Sequence, residues 1–180
     1  DWDANAAEKA GYEHFMLKEI YEQPKTINDT ISPRIKDNDI VIEELNMSDE
    51  EIKEITKIHI VACGSAYHTG VTAKYVIEGL ARIPVEVDVA SEFRYRDPIL
   101  QKGNMVIVIS QSGETADTLA ALRESRERGF KVLGIVNVVG SSIAREADSV
   151  MYTWAGPEIA VATTKAYSAQ LTALYMLAMK

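Results

Sequence analysis

Five consecutive apolar positions, 105–109, most of them β-branched, stand out from the mixed sequence around them. A run of that kind suits a strand buried on both faces, as in a parallel sheet, so helices are expected on either side of it. It breaks abruptly into Ser110-Gln-Ser-Gly-Glu-Thr115, after which a helical pattern runs to Arg128. Ser112, with Thr115 three positions on, is the expected N-cap of that helix. Orphan backbone N–H groups, the positive end of the helix dipole and several hydroxyls then converge where a strand ends, an arrangement suited to an anion such as phosphate.

The remaining pattern supplies four more strands and their helices. Residues 6–23 place Ala7, Ala10, Phe15, Leu17, Ile20 and Tyr21 among Glu and Lys and stop at Gln23-Pro24, which predicts an amphipathic helix. A second helix is expected from about Pro24, fading at Ser32-Pro33. Residues 34–46 are charged and weakly periodic, and Ser48 with Glu51 forms a capping box for one short helix. Strands are expected at 57–64, 85–90, 131–136 and 149–154; the alternation of apolar and acidic residues at 85–90 marks a strand near a sheet edge. Helices are expected at 66–82, from Ser91, at 141–146 after a turn at Gly140, and along 158–180, where the pattern ends without a stop signal.

Strands alternating with helices predict an α/β fold: a three-layer α/β/α sandwich around a five-stranded parallel sheet, flavodoxin-like in class. Ligands of such sheets bind beyond the carboxyl ends of the strands. Three turns qualify, at 63–66, 110–115 and 160–165, and two of them face each other if the first and central strands are neighbours.

Composition narrows the chemistry. The 180 residues are 47% hydrophobic, enough for a sizeable core, and carry a net charge of −8. With an isoelectric point near 4.9, the chain is a poor partner for nucleic acid or an acidic membrane surface. No apolar run reaches the roughly 20 residues of a membrane span, and Asp1-Trp-Asp-Ala-Asn is unlike a secretory signal, so a cytoplasmic setting is expected. The single Cys63 forbids an internal disulfide, and His14, His59 and His68 lack ligand spacing, so no metal and no cofactor is implied. Any phosphate must be held by local donors. Neither Gly-x-Gly-x-x-Gly nor a Walker A sequence is present, which favours a small phosphate monoester over a nucleotide.

Four further residues invite a role. Cys63 is read as structural, since free cysteine is commonly buried and no partner histidine is placed beside it. His68 is read as a packing or surface residue, and Glu114, beside an anion loop, is expected to turn outward. Lys165 leaves two readings open, a pocket cation or a solvated lysine.

The loop Ser110-Gln-Ser-Gly-Glu-Thr115 resembles the Ser-x-Ser-Gly-x-Thr signature of the sugar isomerase (SIS) domain. The stretches Glu8-Lys-Ala-Gly-Tyr-Glu-His-Phe-Met-Leu-Lys-Glu-Ile-Tyr-Glu-Gln-Pro24, Cys63-Gly-Ser-Ala-Tyr-His68, Asn137-Val-Val-Gly-Ser-Ser142 and Ala155-Gly-Pro-Glu-Ile-Ala-Val-Ala-Thr-Thr-Lys-Ala-Tyr167 extend the resemblance over essentially the whole chain. They are similar to the SIS-containing family of isomerising aminotransferases, which make glucosamine 6-phosphate and glutamate from fructose 6-phosphate and glutamine.

The resemblance implies that residues 1–50 are a helical lead-in from a glutaminase domain and that residues 51–180 are the first of two SIS subdomains. It implies that Ser110, Gln111, Ser112 and Thr115 bind the phosphate of fructose 6-phosphate or glucosamine 6-phosphate, and that Ser65, Val161 and Thr163 approach the sugar. It also implies that the acid and base groups lie elsewhere, leaving no catalytic residue here, and that the other domains and a second copy of the chain are partners. Ala66 departs from many members, which carry a hydroxyl there, so only its backbone N–H is left to donate. Two competing readings are a SIS sensor module regulating a partner and a stand-alone sugar-phosphate isomerase.

Overall fold

A computed structural model describes residues 8–180. Helices α1 (Phe15–Tyr21) and α2 (Gln23–Ile31) lead into a small antiparallel hairpin, β1 (Ile35–Lys36) and β2 (Asp39–Ile40), and then the short helix α3 (Asp49–Lys53). The core follows as β3 (Lys57–Ala62), α4 (Gly64–Leu80), β4 (Val85–Val89), α5 (Ala90–Phe93), β5 (Asn104–Ser110), α6 (Ala116–Glu127), β6 (Val132–Val136), α7 (Ser142–Glu146), β7 (Ser149–Tyr152) and α8 (Lys165–Met179). The five long strands form one parallel sheet in the order β4-β3-β5-β6-β7. This is the predicted α/β/α sandwich, and β4 is an edge strand as its alternation suggested.

That order creates the feature that positions the site. From β3 the chain winds one way to β4, then returns past β3 to β5 and winds the other way, so the switch point lies between β3 and β5. Their register runs from Lys57 opposite Asn104 to Ala62 opposite Ile109, which brings the two carboxyl ends side by side. The helices that leave them pack on opposite faces. Ile60, Ile107, Ile109 and Leu133 meet Ala73, Ile77 and Leu174 of α4 and α8 on one face, while Val61, Val106, Val108 and Val132 meet Phe93, Ala121 and Leu122 on the other. Gly70 lets α4 lie close on the sheet, since a Cβ there would stand 2.8 Å from Ile60 Cγ2.

Ser48 and Glu51 form the expected capping box on α3. Other expectations need correction. The first helix begins at Phe15 rather than at residue 6, because Ala10 and Gly11 turn the backbone at φ 48° and 85°. Ala6 and Ala7 lie outside the described residues. The burial of α1 also runs against its apolar pattern: Lys18 and Glu19 are buried, while Met16, Leu17, Ile20 and Tyr21 are exposed. Its two charges have polar partners inside, with Lys18 donating to the carbonyl of Glu8 at 2.6 Å. The last helix begins at Lys165 rather than at 158, because Glu158 Oε1 accepts from the N–H groups of Thr164 and Ala166 and so ends the preceding loop. No described helix is long and apolar enough to cross a membrane.

Candidate functional site

The loop after β5 is closed on itself by hydroxyls. Ser110 Oγ accepts from Gly113 N at 3.0 Å and shares a hydrogen bond of 2.9 Å with Thr115 Oγ1. Ser112 is not the helix cap that its spacing suggested. Thr115 occupies the N-cap position, and Ser112 Oγ accepts from Glu114 N at 3.2 Å in a turn two residues long. A side chain that satisfies a neighbouring N–H within the loop keeps the chain out of helix until the loop is complete. The Ser112 hydroxyl proton stays available for a ligand.

The far side of the loop is braced by α7. Gly113 has φ +68°, and a Cβ on it would fall 2.5 Å from Ser141 Cβ. Its carbonyl accepts from Ile143 N at 3.0 Å. Glu114 Oε1 accepts from Ser142 N at 2.7 Å, which turns this carboxylate away from the pocket, as expected, and holds it below the usual carboxylate range. Asn137, to which the sequence assigned no role, ties two turns together: its Oδ1 accepts from Ala155 N at 2.8 Å and its Nδ2 donates to the carbonyl of Gly156 at 2.7 Å.

Across the switch point, Gly64 in the left-handed region starts α4, two residues earlier than its apolar pattern suggested, with Ser65 and Ala66 in its first turn. Two helix N-termini therefore open onto the same space, and their free N–H groups supply positive potential in a chain whose net charge is −8. A cavity of about 330 Å³ lies between them, large enough for a small ligand. All seven residues singled out from the sequence, Ser65, Ser110, Gln111, Ser112, Thr115, Val161 and Thr163, line it. Its third wall, residues 160–163, has no helix or strand, and Val161 at its tip is fully exposed. Gln170 of α8 and Glu158 also line the cavity, and the sequence had assigned neither a place in the site. Both oxygens of Glu158 are engaged by its own loop, Oε2 by the Thr163 hydroxyl at 2.8 Å.

Cys63 is half-buried at the cavity's edge, its Sγ accepting from the Thr118 hydroxyl at 3.8 Å. His68 is exposed, with its ring against Tyr67. Lys165 meets neither of its two readings. It is buried, and its Nζ donates to Glu22 Oε2 at 2.6 Å, on the side of α8 facing α2.

Two other places bear on ligand chemistry. Among the described residues His59, Glu86 and Asp88 bring ligand-type atoms within 4.8 Å of one another. Arg96 grips both carboxylates and Lys57 donates to Glu86 at 2.6 Å, so the group is a neutralised ion-pair network. At the amino ends of the strands a depression of about 220 Å³ is lined by Met47, Ile55, Met105 and Phe130. Its rim carries Lys102, Lys131, Glu51 and Glu54, with Lys131 paired to Glu51 at 2.6 Å; it has no hydroxyl donor and lies at the opposite end of the sheet from the α4 and α6 N-termini, so the hydroxyl-lined cavity is the better anion site.

The sequence pattern of the SIS domain family matches residues 51–180. The isomerizing glutamine-fructose-6-phosphate aminotransferase of Clostridium acetobutylicum is 65% identical over 98% of this chain, and that of Clostridium tetani is 64% identical over 99%. The chain spans about 29% of the length of these relatives. The solved C-terminal domain of glucosamine-fructose-6-phosphate aminotransferase from Francisella tularensis superposes with a TM-score of 0.89 at 46% identity, covering 95% of this chain and 48% of that one.

Proposed function

The chain belongs to the SIS domain family, and on that premise we propose that it is the first SIS subdomain of an isomerising glutamine:fructose-6-phosphate aminotransferase, where it binds and orients the sugar phosphate. One observation carries the reading: the hydroxyl loop after β5 and the N-terminus of α4 face each other across the switch point, and all seven expected contact residues fall on that one cavity. The phosphate is held by Gln111, Ser112, Thr115 and the free N–H groups of the two helix termini, with Ser110 keeping the loop in shape. Ser65, Val161 and Thr163 approach the sugar. Residues 1–50 act as the lead-in from a glutaminase domain and residues 51–180 as the SIS domain proper. The glutaminase domain, a second SIS subdomain and a second copy of the chain are its partners.

Ketose-to-aldose conversion moves a proton between C1 and C2, and that needs a positioned acid and base. Glu114 faces α7 and Glu158 is spent on its own loop, so these two carboxylates do not supply them. The chain therefore binds without turnover. Titration calorimetry with fructose 6-phosphate tests the first half, and an assay for glucosamine 6-phosphate in the presence of ammonia tests the second. Saturable binding without product is expected. Absence of binding would remove the sugar-phosphate reading, and product above the uncatalysed rate would remove the binding-only role.

A further inference from the structure

We propose that Glu19, which lies before the SIS domain in the chain, is a positioning residue that hangs the third wall of the sugar-phosphate cavity. Glu19 sits on α1 and is only 2% exposed. Its Oε1 accepts from Ile159 N at 2.6 Å and from Ala160 N at 3.2 Å, across 140 residues of chain. Two successive backbone N–H groups converging on one carboxylate oxygen make a small anion nest, here filled by the protein's own side chain. These donors offset part of the carboxylate's lost hydration, at Oε1, while Oε2 is buried with no hydrogen-bond partner among the described residues.

The wall needs such a hold. Residues 159–163 have no ladder or helix to fix them, so their backbone groups must find partners elsewhere or face water. Glu158 secures the end nearer α8 through Thr163, Thr164 and Ala166, and Glu19 secures the other. The anchor is itself fixed: Lys165 of α8 pairs with Glu22 at 2.6 Å, and Ser168 donates to Gln23 at 2.5 Å. The cavity is thus completed by a helix that the SIS family pattern does not include.

The phosphate loop is held independently, by Ser110, Thr115 and the backing of α7. Loss of Glu19 is therefore expected to act on recognition of the sugar and to spare recognition of the phosphate. The choice of ligand rests on the function proposed above; the hold on the wall does not. Two measurements on the wild-type chain, Glu19→Ala and Glu19→Gln separate these points.

Amide hydrogen exchange is expected to quicken about tenfold across 159–163 in Glu19→Ala while the amides of β3 and β5 keep their protection. In calorimetry, fructose 6-phosphate is expected to bind about tenfold more weakly, with inorganic phosphate unchanged within about twofold, as the loss of a charged acceptor implies. Glu19→Gln keeps an acceptor at the same reach in neutral form, with bonds roughly half as strong, and is expected to fall between the two. It carries the test if the alanine variant does not fold. Unchanged exchange at Ile159 and Ala160 in both variants would overturn the proposal, as would equal losses for fructose 6-phosphate and inorganic phosphate. A wild-type chain that binds inorganic phosphate but not fructose 6-phosphate would overturn the ligand assignment, and the exchange measurement would still decide the role of Glu19.

Discussion

The hydroxyls of Ser110 and Thr115 stand 2.9 Å apart, and the same Ser110 oxygen accepts from Gly113 N at 3.0 Å. One serine thus closes the anion loop from within, and its neighbour two residues on is left to meet the ligand. Ser112→Ala is expected to weaken fructose 6-phosphate binding about tenfold, the share of one hydrogen bond to a charged group, with little change in stability. Ser110→Ala is expected to cost about 1–2 kcal/mol of stability as well as affinity, because it leaves Gly113 N without its partner. Calorimetry and denaturant titration of the two variants separate the roles; wild-type affinity in Ser112→Ala would take that hydroxyl out of the site.

Gly113→Ala tests the brace behind the loop. The new methyl would meet Ser141 Cβ at 2.5 Å on a backbone at φ +68°, so a loss of at least about 2 kcal/mol is expected. Adding Ser141→Gly should return the steric part and leave the backbone strain, since glycine is tolerated at the N-cap position Ser141 occupies. Denaturant midpoints of the two single variants and the double variant measure both parts. Strict additivity would mean that Ser141 is not what the methyl meets.

His59 sets a pH dependence. Burial, with Lys57 nearby, pushes its pKa below the usual 6.5. The unfolded chain then takes up the proton first, so stability is full above about 6.5 and declines as pH falls. Glu86 and Glu146, held below 4.5 by hydrogen bonds to Lys57 and Arg123, act lower: their contribution is present above about 4.5 and is lost as pH falls further. His59→Gln does not titrate and is expected to flatten the decline that begins as pH falls below about 6.5. Unfolding midpoints from pH 8 to 4 decide it, and an unchanged slope in the variant would assign the decline elsewhere.

Arg34 is fully buried and joins three parts of the chain, donating to the carbonyls of Thr30 at 2.7 Å and Tyr152 at 2.8 Å and to Glu44 Oε1 at 2.8 Å. Arg34→Met is expected to cost about 3 kcal/mol, since it strands buried acceptors on α2 and at the end of β7. Arg34→Lys should recover little, because an ammonium cannot span three acceptors set in a fork. Glu44→Gln should cost no more than about 1 kcal/mol, as that carboxylate is 32% exposed. Thermal or denaturant unfolding ranks the three variants, and a lysine variant as stable as wild type would contradict the fork geometry.

The sheet was legible because its strands carry their environment in their composition. The apolar, mostly β-branched run at 105–109 suits a strand covered on both sides, and the acidic alternation at 86 and 88 suits a strand near an edge. The loop after β5 was legible through its position, since Ser and Gly are common in any turn and it is the buried strand before them and the helix after them that mark an anion loop. What escaped detection depends on partners distant in sequence. Glu19 and Lys18 read as the wet face of α1, yet they are buried because their partners lie inside, for Glu19 at Ile159 and Ala160. Lys165 offered two readings and took a third, because Glu22 meets it only after α2 docks on α8. Ser112 and Thr115 compete for the cap with equal chemistry, and only the turn geometry chooses between them.

The paired charges on β4 have a consequence beyond that strand. An outer strand of a parallel sheet offers a row of backbone groups to any other chain that can extend along it. Here Glu86 and Asp88 stand two residues apart on one face, clasped by Arg96, with Lys57 beside the first. A strand from another molecule settling against β4 would bring its own side chains down beside this clasp, and an apolar one would have to displace water from ions without offering them partners. The acids that mark β4 as an edge also leave that edge unattractive to a passing strand.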